Sequence, residues 1–236
     1  MLIAPEKDEV AIVLLGSFNP RIFHPAWLAM NKLISSDDAN NADLEIAHKD
    51  ITHFKASGMT FTVETGRFSI LCAEAIKGKI FDLVLSCFGE LLPHTPIHSL
   101  GINRMLHFPC KNEPSRHALG KRLAPYEPWG EWGKEIEERD TATNHGGMMR
   151  LSLRQQPLDN GLNGYVQAEV RPSQIIKEGL GVAIDVNNHF VLVDDPDAAV
   201  GAVGAVSLIE EHWDRALQQG EKIISGLMAV AKEVEQ

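Results

Sequence analysis

The C-terminal stretch limits the fold of this chain more than any other feature. Val203, Val206, Ile209, Trp213, Ala216, Leu217, Ile223, Ile224, Leu227, Met228, Ala231 and Val234 recur at helical spacing with Glu, Lys and Gln between them. That pattern predicts one long amphipathic helix whose apolar stripe must be buried against another layer. Three segments ahead of it offer that layer. Met149, Leu151 and Leu153 alternate with Arg150, Ser152 and Arg154; Val166, Ala168 and Val170 with Gln167, Glu169 and Arg171; Val182, Ile184 and Val186 with Ala183, Asp185 and Asn187. A period of two predicts antiparallel strands with one buried and one wet face. Asp159-Asn160-Gly161 and Asn187-Asn188 read as the turns around them.

The N-terminal half carries more mixed signals. Val10 to Leu15 is a continuous apolar run ended by Gly16, as expected of a strand buried on both faces. Pro25 suits the first turn of a helix that continues through Trp27, Met30, Leu33 and Ile34. The polar cluster from Ser35 to Asn41 reads as a loop. Leu44 to Ala56 reads as strand, and Thr60 to Ala75 as a hairpin turning at Thr65-Gly66. Ile80, Leu83, Val84, Cys87, Phe88 and Leu91 mark a helix that stops before Pro93. Ile97 to Phe108 returns to strand. The expected class is α+β with mainly antiparallel sheet: residues 1–110 in ferredoxin-like order (strand-helix-strand-strand-helix-strand), an irregular connection over 111–147 with a short helix near Ser115 to Leu123, and a three-strand meander plus closing helix over 148–236. The two parts form either two small sheets or one continued sheet.

Charge and cysteine usage bound the function classes. A net charge of −10 on 236 residues disfavours a phosphate-binding surface, so nucleic acid is not expected as a partner. The acids are scattered; the dense stretch Glu131 to Asp140 is interleaved with Lys134 and Arg139, which reads as a solvated face. Cys72, Cys87 and Cys110 are an odd set without a disulfide framework, which favours a reducing compartment. The first residues lack the basic and apolar regions of a signal peptide, and no apolar run is long enough to span a bilayer. The expected address is the cytoplasm, away from membranes.

Four constellations could carry chemistry. Gly16-Ser17-Phe18-Asn19-Pro20 with His24 follows a buried strand and looks like the opening of the nucleotidyltransferases whose two histidines hold a triphosphate. Here His24 stands alone, four residues after Pro20, and the plain reading is a strand-ending turn. His94, His98, His107 and Cys110 superficially supply four zinc ligands. The first pair spans Pro93 and Pro96, and His107 and Cys110 point to opposite faces of a strand, so no metal is expected. Asn103 and His107 share one face of their strand with Arg104 beside them, a polar pocket if Trp129 or Trp132 lines it; Arg104 is otherwise expected to bond carbonyls or a carboxylate such as Glu169 or Asp185. Trp129 and Trp132, beside Gly130 and Gly133 and close to Tyr126, form the fourth. They either plug a seam between the halves or present a binding loop.

Three stretches together resemble a family. These are Val13 to Trp27 with Gly-Ser-Phe-Asn-Pro and Pro-Ala-Trp, His94 to Phe108 with Thr-Pro-Ile-His-Ser-Leu-Gly-Ile-Asn-Arg, and Leu208 to Leu227 with Glu-His-Trp. The layout is similar to a sporadically distributed family of uncharacterised bacterial proteins; the resemblance implies an α+β fold and carries no activity. The residues themselves point to a non-enzymatic protein without a cofactor, binding another protein or a second copy of itself. The alternative is a nucleotide-binding or nucleotidyl-transferring enzyme using Gly16, Ser17, Asn19 and His24.

Overall fold

The computed structural model describes residues 4–139, 146–156, 158, 161–176 and 180–234. Nine strands form a single sheet: β1 (Lys7–Gly16), β2 (Asp43–Ala47), β3 (Ile51–Ala56), β4 (Met59–Glu64), β5 (Arg67–Ala73), β6 (Ile97–Pro109), β7 (Leu151–Gln155), β8 (Gly164–Pro172) and β9 (Gly181–Val191). Their order across the sheet is β2-β3-β4-β5-β1-β6-β9-β8-β7, and every neighbouring pair is antiparallel. β6 and β9 pair from Ser99↔Val191 to Pro109↔Gly181, so the sheet runs unbroken from the N-terminal part into the meander. With the hairpins β2-β3 and β4-β5 each counted once, the N-terminal strands lie in ferredoxin-like order, and the crossover from β5 to β6 passes over β1.

Among the described residues, the helices that add side chains to the core pack on one face. α1 (Pro25–Met30) begins on Pro25, with His24 Nδ1 accepting from the Ala26 amide as its N-cap. α2 (Ser36–Asn40) occupies the stretch read as a loop: Ser35 caps a single turn by accepting from the Asp38 amide. α3 (Lys77–Leu85) continues into a π turn over Ser86–Leu91. α4 (Glu113–Leu123) and α5 (Gly130–Glu138) give the 111–147 stretch more regularity than its prolines suggest. α6 (Val203–Val234) lies over β6 and β9 and meets α3 and α4. Among the described residues no helix is long and apolar enough to cross a membrane.

The core follows the alternation. Val10, Ile12 and Leu14 of β1, Phe68 and Ile70 of β5, Leu100, Ile102 and Phe108 of β6, and Ile184 and Val186 of β9 all face the helices and are buried. Phe18, Phe23, Phe68 and Phe88 pack ring against ring, with centroids 5.0 to 6.2 Å apart. Several expectations need correction. β1 is not sunk on both faces: Val13 and Leu15 point to the bare side of the sheet and are half-buried. The segment Leu44 to Ala56 is two strands, a hairpin with a bulge between Leu44 and Ile46. Leu153 takes the helical face but lies on the edge strand beyond the reach of α6, and is 67% exposed. Asn187 and Asn188 are not a turn; they sit in the middle of β9. Asn188 points inward and donates Nδ2–H to the Ala216 carbonyl of α6 at 3.1 Å, which satisfies one polar group in the core.

Candidate functional sites

The face of the sheet without helices is polar, and adjacent strands lay its side chains out in rows. One row reads Arg154–Gln167–Asn187–Asn103–Ala11 across β7, β8, β9, β6 and β1. The next reads Tyr165–His189–Gly101–Val13. A third places Glu169 and Asp185 beside Met105 and Glu9. Between them lies a trough of about 410 Å³ lined by Val13, Leu15, Arg67, Gly101, Asn103 and Met105 together with Tyr165, Asp185, Asn187 and His189. The Tyr165 and His189 rings stack with centroids 4.7 Å apart, and the Arg154 guanidinium lies 3.8 Å from the centre of the Tyr165 ring. Burial, and next the nearby Arg154 charge, hold the His189 pKa below its ordinary value, which favours a neutral imidazole. Asp185, at the edge of the trough, accepts from Arg171 at 2.6 Å, and Arg171 also donates to Glu169 at 3.2 Å.

Of the expected strand residues, the structure brings Asn103 to this trough and separates the others from it. His107 is buried, with Nδ1 2.8 Å from the Ser173 hydroxyl, and desolvation lowers its pKa. Arg104 faces the opposite side. It bonds neither Glu169 nor Asp185 but donates to Asp8 at 2.8 Å and Glu221 at 3.4 Å, with Glu74 at 3.6 Å. The reason is parity: neighbours along a strand point to opposite faces, and Arg104 follows Asn103. Desolvation raises the Asp8 pKa despite the arginine beside it. No tryptophan lines the trough.

The Gly16–Asn19 turn is built for structure. Gly16 N–H bonds the Gly66 carbonyl, Ser17 N–H the Pro96 carbonyl and Phe18 N–H the Thr65 carbonyl. A Cβ on Gly16 would lie 2.0 Å from the Pro96 oxygen, so only glycine fits there. The Asn19 side chain accepts from the Arg21 amide. His24 nonetheless lines a second trough, of about 420 Å³, with Arg21, His48, Lys49 and Thr52. The quartet His94, His98, His107 and Cys110 is split between the two ends of β6. His98 and His107 lie nine residues apart along one strand, about 30 Å at the usual rise. Among the described residues no group of three or more His, Cys, Asp or Glu side chains is placed to hold a metal.

Trp129 and Trp132 are each 58% exposed, their rings edge to face with centroids 5.5 Å apart. They do not plug a seam. Tyr126 is the structural member of that trio: it is 9% exposed, and its carbonyl accepts from the Trp129 amide. A Cβ on Gly133 would meet the Tyr126 carbonyl oxygen at 2.2 Å, so glycine lets α5 sit directly on that turn. Gly130, at a φ of +60°, sets the angle between the turn and the helix. The pocket between α6 and the sheet, at Val166, Phe190, His212 and Ala216, holds about 20 Å³, room for a water molecule and no larger ligand.

Tyr165, His189, Gly101 and Asn187 are the functional candidates that sequence reasoning missed. Two signals pointed to them. A glycine inside a strand marks close approach of another group, and asparagines are disfavoured mid-strand unless something uses them. Compared with protein-family models and with curated proteins, the sequence matches none.

Proposed function

We propose that this protein works by binding a protein partner, and that Trp129 and Trp132 are the centre of the contact. The observation behind it is their exposure: two indoles stand more than half in water, Trp129 on the turn that leads into α5 and Trp132 in its first turn. Exposed paired aromatics on a rigid support are what the hot spots of interfaces use. The segment from Glu127 to Arg139 carries Glu127, Glu131, Glu135, Glu137 and Glu138 against Lys134 and Arg139. This acidic surplus fits a partner with an apolar recess and a basic rim. A second copy of this chain, with its own −10 charge, fits less well. The test is the double variant Trp129→Ala with Trp132→Ala. It keeps the melting temperature, because surface changes cost about 0.5 kcal/mol or less. Partner recovered by the wild type from its native cell should bind the variant at least about 30-fold more weakly. A variant that unfolds, or one that retains the partner fully, defeats the proposal.

The nucleotide alternative draws its support from the trough beside His24, where Arg21 and Lys49 supply positive charge in an acidic chain. Thermal stabilisation by ATP with magnesium, lost on Arg21→Ala with His24→Ala, would favour it. No shift at millimolar ATP would reject it.

A further inference from the structure

The open face of the sheet holds a slot with the dimensions of one flat ring. From the β7 edge inward, Arg154, Tyr165 and His189 form a stack of planar groups. The stack stops at β6, where the residue opposite His189 is Gly101. Beyond Gly101 stands Val13 of β1. Two strand spacings separate the β9 and β1 backbones, about 9.5 Å, so one flat ring fits between the His189 imidazole and the Val13 side chain. Gly101 has ordinary extended backbone, so its conformation does not demand glycine. What glycine supplies is space, part of which the Asn187 carboxamide takes up.

The walls of the slot carry complementary polar groups. Asn103 and Asn187 face each other across β6 and β9, one row along from Gly101. Asn187 Oδ1 leans over Gly101, 2.9 Å from where a Cβ would be, buried and without a hydrogen-bond partner. The χ2 torsion of asparagine is a broad well, so a small turn presents this acceptor to the slot. A carboxamide pair offers donor and acceptor together, the pattern that base edges match. Arg67, at the Leu15 end of the trough, makes no ion pair or side-chain hydrogen bond among the described residues, and its guanidinium can meet an anion.

We infer that this slot binds a planar nitrogen heterocycle carrying an anionic group, with the ring stacked on His189 over Gly101, its polar edge on Asn187 and Asn103, and its anion toward Arg67. The site is separate from the tryptophan surface and from the His24 trough, so each stands or falls alone. The probes are the four nucleoside monophosphates of adenine, guanine, cytosine and uracil, their parent nucleosides, and inorganic phosphate, titrated calorimetrically into the full chain. At least one monophosphate should bind with a Kd of about 1 mM or tighter. Loss of the stacking surface in His189→Ala should weaken it at least about tenfold. Gly101→Val should block it, and Arg67→Ala should weaken the monophosphate while leaving the parent nucleoside unchanged. Arg21→Ala should change nothing. Should Gly101→Val fail to fold, His189→Ala and Asn187→Ala, on the open face, carry the test. The inference is overturned if none of the monophosphates binds at about 5 mM, if binding survives His189→Ala, or if inorganic phosphate binds as tightly as the monophosphate.

Discussion

Arg104 shows how much one position can depend on distant sequence. Its guanidinium is buried between strand and helix, against carboxylates 96 and 117 residues away in the chain. Gly220 of α6 packs on its aliphatic stem. Among the described residues no cation other than Arg104 stands at hydrogen-bond distance from Asp8 and Glu221; Arg104→Ala removes it and should cost about 3 kcal/mol in urea unfolding, because the carboxylates are part-exposed and partly rehydrate. The Asp8 pKa is already raised, and a raised acid loses folded-state stability as pH climbs through its titration range. Without the arginine this loss grows, so the deficit of the variant should be smaller near pH 4 than at neutrality. His107 titrates the other way. Burial lowers its pKa below 6.5, so the unfolded chain takes up the proton first. Stability is complete above about 6.5 and falls as pH drops below it; His107→Gln should flatten that fall, read from urea midpoints across the range.

At the scale of elements, α6 matters most. The expected apolar stripe is there: Ile209, Trp213, Ala216, Leu217, Ile224, Met228 and Ala231 are buried. Trp213 also ties the helix to the N-terminal part. Its ring lies 5.3 Å from Phe81 on α3, because α6 crosses β6 and β9 and reaches the helix of the N-terminal part. Trp213→Ala should cost about 3–5 kcal/mol by chemical denaturation, as large-to-small core changes do. A loss below about 1 kcal/mol would mean that the helix does not bury this ring. The helix α5 makes a different kind of prediction. Gly133→Val forces it off the Tyr126 carbonyl, so tryptophan fluorescence should shift, with partner binding lost together with it.

As a whole molecule the chain is one sheet with helices on one side. The pairing of β6 with β9 and the span of α6 from α3 to β9 tie both parts together. The full chain should therefore unfold in one transition, with far-UV dichroism and the fluorescence of a variant retaining only Trp213 coincident in urea. Two separated transitions would show independent halves. A fragment ending at residue 147 leaves Leu100, Ile102, Leu106 and Phe108 without β9 beside them or α6 above, and should bind hydrophobic dyes.

Periodicity is a local property, so strands such as β8 and β9, helix α6 and the antiparallel class were readable residue by residue. The exposure of Trp129 and Trp132, the burial of Arg104 and the bareness of one sheet face were not, because each depends on which element lies opposite. Asn187 makes the point plainly. As a dipeptide with Asn188 it has the composition of a turn, yet the pairing of β9 with both β6 and β8 keeps it extended. The slot needs four strands at once: Tyr165 from β8, His189 and Asn187 from β9, Gly101 from β6 and Val13 from β1. Local sequence determined the alternation that sends each side chain to one face or the other. Only the tertiary structure decided the register, and register is what placed these side chains in adjoining rows.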